Sequence, residues 1–550
     1  MTTSDALRAG RREWVGLAVL ALACLLYAMD LTVLHLAVPA LSADLQPSSA
    51  QLLWITDIYG FMVAGFLVTM GTLGDRIGRR RLLLLGATAF GALSVLAALS
   101  TSPEQLIASR ALLGIAGATL APSTLSLIFS MFQDPGQRST AIGIWITSFS
   151  AGGAIGPVLG GVLLEYYWWG SVFLLAVPVM ALLLALGPRV LPEYKDLEAG
   201  RLDLLSAAMS LVAVLAVVFG LKLSAQDGFS GLAGGAILVG LVVGLLFARR
   251  QLTLADPMID LRLFQSTAFN ASLATNLLGI FIAVGYFLFV AQYLQLVLGL
   301  SPLEAGLWSL PSAAGFIVGS NLAPRILRRV RPAPLIGTGL AMAAIGLAVL
   351  TQIGGSHDAD LAILAGASLV VSLGLAPVFT ATTDLIVSSA PPERAGAASG
   401  ISETGAELGG ALGIAILGSI GVAVYRGELA DALPVDLPAQ AAAAARDTLG
   451  GAVGVAAQLP AELGAAVVAA AREAFIQGLQ LTAALSAAVA VAIAVVATVL
   501  LRDVPAGAEA ETAEQPAPFV LPEDAFQVIR SGSGCMACPG ESRLEDTHDA

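Results

Sequence analysis

Residues 50–100 read A-Q-L-L-W-I-T-D-I-Y-G-F-M-V-A-G-F-L-V-T-M-G-T-L-G-D-R-I-G-R-R-R-L-L-L-L-G-A-T-A-F-G-A-L-S-V-L-A-A-L-S, two long apolar runs joined by a loop with Asp75, Arg76, Arg79, Arg80 and Arg81. A bilayer-spanning helix needs about 20 mostly apolar residues. The runs at 50–72 and 82–100 meet that length, and a short loop so rich in arginine belongs on the cytoplasmic side. The stretch is therefore a helical hairpin across a membrane. The rest of the chain is built alike: 550 residues, 57% hydrophobic and only 12% charged, with a mean hydropathy of +0.85. Soluble domains carry roughly 25% charged residues, so this chain cannot furnish a water-facing surface. An all-α polytopic membrane protein is the class implied. Soluble enzymes, nucleic-acid binders and secreted disulfide scaffolds are excluded.

The same rule marks fourteen spans, at 14–36, 50–72, 82–100, 104–130, 138–164, 168–187, 204–224, 231–250, 268–298, 304–328, 332–353, 359–388, 395–424 and 475–501. With the N-terminus in the cytoplasm, 22 of the 27 Lys/Arg fall in cytoplasmic loops or termini, as the positive-inside rule requires. Both termini are then inside, which demands an even number of spans. No cleavable signal peptide is expected before the first. The layout reads as a six-helix bundle over 1–190, two linker helices over 203–250 and a second six-helix bundle over 260–501. The second bundle contains an Ala-rich, amphipathic outside loop at 425–474, expected to lie on the membrane surface. Of the net charge of −12, −7 sits in residues 502–550, which read as a disordered acidic cytoplasmic tail. The two sixes echo each other: D-P-G-Q-R ending at Arg138 and A-P-P-E-R ending at Arg394 each lead into glycines at spacing four, Gly152, Gly156, Gly160 and Gly405, Gly409, Gly413. Two similar halves around a central site is a common transporter plan.

Charges at bilayer depth are costly, about 2.5–3.5 kcal/mol each on insertion scales, and point to function. Asp30, Asp57 and Arg110 fall at similar depth on spans one, two and four. They form either an acid–base cluster or an ion pair that merely fixes helix register. Even in the second case two acids and one base leave a carboxyl over to titrate. On span thirteen Glu403 and Glu407 are four apart and share a face. Gly405 and Gly409 are offset by two positions and take the opposite face, where small residues allow close helix packing. The carboxylates then point into a cavity, unless each is held by a neighbouring hydroxyl for stability alone. Trp54 and Phe61 share a face with Asp57, Tyr27 with Asp30, and Trp145 lies one turn from Phe149. Aromatic faces beside carboxylates suit an amphipathic organic cation; the plainer reading is membrane packing.

Other residues carry bland readings. His35 caps an interface, Cys24 is an apolar filler, Asp384 and Glu304 are solvated at helix ends, and Lys222 sits near an outer helix end. Cys535 and Cys538 have metal-like spacing but no further ligands nearby. Three cysteines and three histidines supply neither a metal centre nor a catalytic set, so no enzyme, metal or cofactor is expected.

Several stretches resemble the major facilitator superfamily. G-T-L-G-D-R-I-G-R-R-R (Gly71–Arg81) is similar to its cytoplasmic-loop motif, and L-I-A-S-R-A-L-L-G-I-A-G-A (Leu106–Ala118) to its fourth-helix motif with an embedded arginine, here Arg110. G-G-A-I-G-P-V-L-G-G, which holds Gly152, Gly156, Pro157, Gly160 and Gly161, resembles the fifth-helix motif of antiporting exporters. M-D-L-T-V-L-H-L-A-V-P (Met29–Pro39) resembles the first-helix motif of the fourteen-helix drug:proton antiporters, although His35 stands where Asn is usual. L-L-W-I-T-D-I-Y-G-F-M-V-A-G-F (Leu52–Phe66) and Q-Y-L-Q-L-V-L-G-L-S-P-L-E-A-G-L (Gln292–Leu307) fit the quaternary ammonium exporters of the QacA/SmvA/LfrA type. The resemblance covers roughly residues 12–501.

It implies a proton-coupled multidrug antiporter of a bacterial cytoplasmic membrane. Hydrophobic mono- and divalent organic cations (quaternary ammonium compounds, dyes, biguanide-like antiseptics) would leave as protons enter. Asp30, Asp57 and Arg110 would couple protons, and Asp30, Asp57, Glu403 and Glu407 would meet cargo beside the aromatics. Gly71, Asp75, Arg76, Gly78 and Arg79 would latch the cytoplasmic side, and the glycine–proline helix would bend and pack. The expected partners are cationic small molecules, protons and the lipid bilayer, with no nucleic acid, for a monomer driven by the proton gradient. Two alternatives stay open: a same-fold exporter of a neutral antibiotic, metabolite or lipid, and a proton-linked sensor or lipid-handling protein.

Overall fold

The computed structural model describes residues 8–47, 49–195, 203–227, 230–254, 257–391, 395–434 and 437–505, without the side chains of several helix positions, among them His35, Asp57 and Pro157. No strand occurs among the described residues. The first helices are α1 (Arg11–Leu45), α2 (Ser49–Ile77), α3 (Arg79–Ala98), α4 (Pro103–Gly117), α5 (Leu120–Met131), α6 (Pro135–Tyr166), a single turn α7 (Ser171–Leu174) and α8 (Ala176–Val190). Two helices follow, α9 (Leu204–Asp227) and α10 (Gly231–Gln251). Then come α11 (Thr267–Gln292), α12 (Pro302–Trp308), α13 (Leu310–Leu327), α14 (Pro332–Leu350), α15 (His357–Ser388), α16 (Ala395–Gly413) and α17 (Ser419–Ala432). The last are α18 (Ala439–Asp447), α19 (Leu449–Ala456) and α20 (Ala461–Leu500).

The caps are legible in the sequence. Ser102 accepts from the Gln105 N–H with Pro103 in the first turn, and Asp134 accepts from the Gln137 N–H ahead of Pro135. Ser301 and Glu304 cap α12 reciprocally. Each satisfies amides that a helix start leaves open, and proline fits there because it has none to give. Asp203, just before α9, accepts from the amides of Leu205 and Ser206 and pairs with Arg250 of α10 at 2.7 Å. The Ser206 hydroxyl and Arg250 hold its carboxyl below the usual range.

Among the described residues, twelve helical stretches are long and apolar enough to cross a membrane. They answer to twelve of the fourteen expected spans. The other two, at 138–164 and 304–328, are helical as α6 and as α12 with α13 but fall outside that set. Both turn small polar groups toward each other. Thr147 and Ser320 share a hydrogen bond of 2.7 Å, Asn321 donates to Thr147 at 2.8 Å, and Gly143 lies against the Ser320 carbonyl. The seam between these two segments is built from glycine and hydroxyls.

One expected boundary needs correction, that of the last helix, and two segments have internal structure that hydropathy does not read. The span at 104–130 is two helices, because Pro122 has no amide for the carbonyl four residues back and the Thr119 hydroxyl binds the Ala116 carbonyl at 2.7 Å instead. The last helix starts at Ala461, not near 475; its 40 residues span about 60 Å, twice a hydrocarbon core of about 30 Å. The described residues of the segment 425–474 are largely helical. α17, α18, α19 and the start of α20 gather their own core, with Leu429, Ala445, Leu449 and Ala452 buried and the Tyr425 hydroxyl donating to the Ala445 carbonyl at 2.8 Å.

Interhelical distances elsewhere are set by glycine. A Cβ at Gly71 would lie 2.6 Å from the Gly396 carbonyl where α2 crosses α16, and a Cβ at Gly152 would lie 2.2 Å from the Leu25 carbonyl where α6 crosses α1. Gly71→Val is expected to overpack its crossing at a cost of about 1–3 kcal/mol, read as a lower midpoint of thermal unfolding in detergent. Gly235→Ala, where an added Cβ meets nothing within 4 Å, is expected to leave that midpoint unchanged or raise it.

Candidate functional site

Arg110 organises the interior of the first helices. It is 1% exposed, donates through Nε to the Ile55 carbonyl at 2.7 Å and pairs through Nη1 with Asp30 at 3.4 Å. Its guanidinium lies 5.2 Å from the Tyr59 ring centre and 5.9 Å from that of Phe173. A guanidinium is planar and always charged, so it serves a carboxylate, a carbonyl and two ring faces together. Asp30 is 12% exposed and opens into a narrow cleft with Phe90, Val172 and Phe173. Asp57 stands on α2, but its side chain lies outside the described residues, so only two of the three expected members are seen together.

The aromatics divide into two groups. Trp145 and Phe149 are 4.7 Å apart, Phe149 and Tyr27 5.8 Å, Tyr27 and Tyr59 6.2 Å, a line across α6, α1 and α2. Trp145 Nε1 donates to the Thr124 hydroxyl, which also meets the buried Cys24 thiol at 3.3 Å. Trp54 and Phe61 do not join this line. They stack with each other at 6.3 Å, Phe61 meets Phe219 of α9 at 6.4 Å, and Trp54 is 43% exposed. The linker helix draws that pair to itself, which no spacing within α2 reveals.

Glu403 and Glu407 stand as the helical phase requires. On the opposite face of α16, Gly409 and Gly413 lie against the carbonyls of Leu277 and Phe281, and Gly405 against Leu273, all on α11. Both carboxylates are half-buried and turn toward α1 and α2: Glu403 acts electrostatically on Cys24 and Tyr27, and Glu407 on Tyr27 and Tyr59. Tyr27 and Tyr59, the second half of the aromatic line, are therefore faced by two acids from a helix more than 300 residues further along the chain.

At the other level, Asp75 holds Arg79 with one oxygen and accepts the Ala397 amide at 3.1 Å with the other. The start of α16 is thereby tied to the end of α2. Arg79 is fully buried, and its own amide donates to the Tyr194 carbonyl at 2.9 Å. Gly78 takes a left-handed φ of 109° with Glu193 so close that a Cβ would lie 2.5 Å from its carboxylate. Arg76 is half-buried in the last turn of α2. A second tie, Arg138 to Asp384 at 3.5 Å, joins α6 to α15; Asp384 is paired rather than simply solvated as expected. On α6, Gly152, Gly156 and Gly160 are buried and Gly161 is exposed; the Pro157 side chain lies outside the described residues.

Tyr59, Phe173, Thr124 and Phe219 enter these clusters without having been singled out from sequence. Each is an apolar, aromatic or hydroxyl side chain of the kind that every span contains, so no local signal sets it apart. Breaking the buried pair tests its structural weight. Arg110→Gln leaves Asp30 without its cation and is expected to destabilise by about 3–5 kcal/mol, seen as loss of the monodisperse peak in detergent. Asp30→Asn, which keeps a polar acceptor for Arg110, is expected to retain that peak.

Comparison with known proteins bears on this arrangement. Residues 20–414 match the sequence profile of the Major Facilitator Superfamily. The chain is 44% identical to the multidrug efflux pump LfrA of Mycolicibacterium smegmatis over 83% of its own length and 90% of that protein. It is 37% identical to the methyl viologen resistance protein SmvA of Salmonella typhimurium, over 81% and 89%, and 34% identical to the tetracenomycin C resistance and export protein of Streptomyces glaucescens, over 74% and 76%. The human organic anion transporter MFSD10 shares the fold, with a TM-score of 0.58 at 16% identity over 89% of this chain and 99% of that one. With a family profile over most of its length, relatives well above 30% identity and the superfamily's fold, this multi-pass membrane protein belongs to the major facilitator superfamily and is a transporter of small molecules, not an enzyme.

Proposed function

We propose that this transporter is a proton-coupled multidrug exporter of a bacterial cytoplasmic membrane, and that its cargo is hydrophobic organic cations, monovalent and divalent. One observation carries the reading: two carboxylates, Glu403 and Glu407, face Tyr27 of an aromatic line, while a third acid, Asp30, pairs with Arg110. Aromatic faces and carboxylates recognise a flat cation, and a separately buried acid can exchange protons on its own account. The names of the relatives agree, one a multidrug efflux pump and one a methyl viologen resistance protein.

The architecture we infer is fourteen membrane helices in a six–two–six plan with both termini in the cytoplasm. α6 and α13 are then spans five and ten, which meet along the seam between the halves. The cycle is alternating access. A cation enters from the cytoplasm or inner leaflet and neutralises a carboxylate among Glu403 and Glu407, beside Tyr27, Phe149 and Trp145. The halves rock about their glycine seams. Asp75 then caps the start of α16 and, with Arg79, Gly71 and Gly78, closes the cytoplasmic side; the engaged latch belongs to the outward-facing state. Cargo leaves as protons take its place, with Asp30 and Asp57 as coupling acids and Arg110 as the cation that tunes Asp30. Each charge moved against 100 mV costs about 2.3 kcal/mol, so two protons per dication is the electroneutral minimum. The protein works as a monomer and needs no cofactor beyond the proton gradient. A relative named for tetracenomycin C export favours, as a second reading, an antibiotic or metabolite as cargo on the same fold.

Ethidium efflux from proteoliposomes under an imposed inward proton gradient tests the proposal. Wild-type efflux is expected to collapse with a protonophore, and Asp30→Asn is expected to lose gradient-driven efflux while still binding ethidium. No ethidium movement in vesicles that transport another cargo would sink the cation reading. In the same vesicles Tyr27→Leu is expected to weaken ethidium affinity by an amount set by a lost aromatic–cation contact, about 0.5–2 kcal/mol, without changing the response to protonophore.

A further inference from the structure

The two linker helices are more than a tether. On α9, Leu211, Leu215, Phe219 and Lys222 follow one another by four, four and three positions, a single stripe. That stripe faces α2. Gly65 is seated against Leu211 and Leu215, so that an added Cβ would lie 2.7–2.8 Å from them, and Phe219 meets Phe61. α9 also packs on α16 and on the π turn that follows it. Helix α9 thus lies in the groove between α2 and α16, and Lys222 stands one turn beyond Phe219, half-buried, with its charge acting on Glu407.

The surroundings of Glu407 contain few other ionisable groups. Glu403 is on its own helix, Tyr27 faces it from α1 and Tyr59 from α2, and Asp57 stands one turn outward of Phe61 on α2. Helices α5 and α11, packed on the same helix, contain no charged residue, and α15 has its acids only near its ends. Of these groups Lys222 alone is cationic.

We propose that Lys222 is a positioning residue of the transport site: its ammonium, carried by α9 into the groove between α2 and α16, is the counter-charge of Glu407 in the cargo-free protein and gives way to the cationic centre of the cargo. The inference rests on the reading that Glu407 receives a cation. A carboxyl in a low-dielectric interior tends to take up a proton, and a nearby positive charge opposes this. A lysine suits the task because its charge is a point on a flexible four-carbon stem, able to withdraw when cargo supplies an equal charge. The linker helix then sets how readily the second half accepts a cation.

The experiment is ethidium binding to the full-length protein in nanodiscs, by fluorescence polarisation across a pH series. Ethidium binds the carboxylate, so losing the ammonium is expected to require a higher pH for ionisation. Lys222→Gln is expected to move the binding midpoint upward by about one unit, hence about tenfold weaker binding below both midpoints, and Lys222→Arg to restore it. In the Glu407→Gln background, Lys222→Gln is expected to add nothing. A wild-type midpoint in Lys222→Gln would overturn the inference, as would equal weakening by the Gln and Arg variants at every pH, the signature of a merely structural lysine. Wild type that binds no ethidium at any pH removes the cation reading and this inference with it; wild type that binds, with an unmoved Lys222→Gln midpoint, removes only the inference.

Discussion

A charge inside a membrane must find its partner within the protein, since the hydrocarbon offers neither water nor counter-ions. Much of this structure follows from how each buried charge is answered. Arg110 binds a carboxylate, a carbonyl and two ring faces across four helices. Arg79 takes Asp75, whose other oxygen reaches the amide of Ala397. Arg138 takes Asp384 across from α6 to α15. These contacts join helices that lie far apart in the chain and fix their order as well as their spacing. Glu403 and Glu407, which pair with no arginine among the described residues, are the carboxylates we propose for cargo and protons.

Glycine answers the complementary problem of bringing backbones close enough for such contacts. Lipid-facing and protein-facing apolar surfaces are alike in energy, so helix association relies on close packing and hydrogen bonds. The glycines of α16 seat it on α11 and thereby turn Glu403 and Glu407 to the other side. Gly71 allows α2 to reach Gly396, which brings Asp75 within reach of an amide at the start of α16. Packing and electrostatics are thus coupled: the same crossings that stabilise the fold aim the charges, and interfaces built of small residues can shift as rigid bodies with little change in burial.

The helices and their caps were readable from local pattern. Apolar runs of spanning length, Ser102 before Pro103 and Asp134 before Pro135 all act within a few residues of themselves. The face opposition of Glu403 and Glu407 to Gly405 and Gly409 was readable too, being a matter of helical phase alone. The break between α4 and α5 is not legible in hydropathy, which carries straight through Pro122 and takes no account of the Thr119 hydroxyl turning back to the Ala116 carbonyl. The extension of α20 to Ala461 is not legible, because a hydropathy rule counts apolar residues and cannot see that an amphipathic stretch will continue a helix against α17 and α19.

Sequence by itself determined that this chain crosses a membrane many times, where its charges lie along each helix, and which family's motifs it carries. Each of these depends on residue type and on spacing along one helix, and the bilayer enforces both. Tertiary structure decided which charges meet. Asp30 went to Arg110, Trp54 and Phe61 went to Phe219 on a linker helix, and Lys222 came to lie near Glu407. Those pairings join residues separated by 80 to nearly 200 positions, so they follow from the order and rotation of packed helices, which no local periodicity encodes.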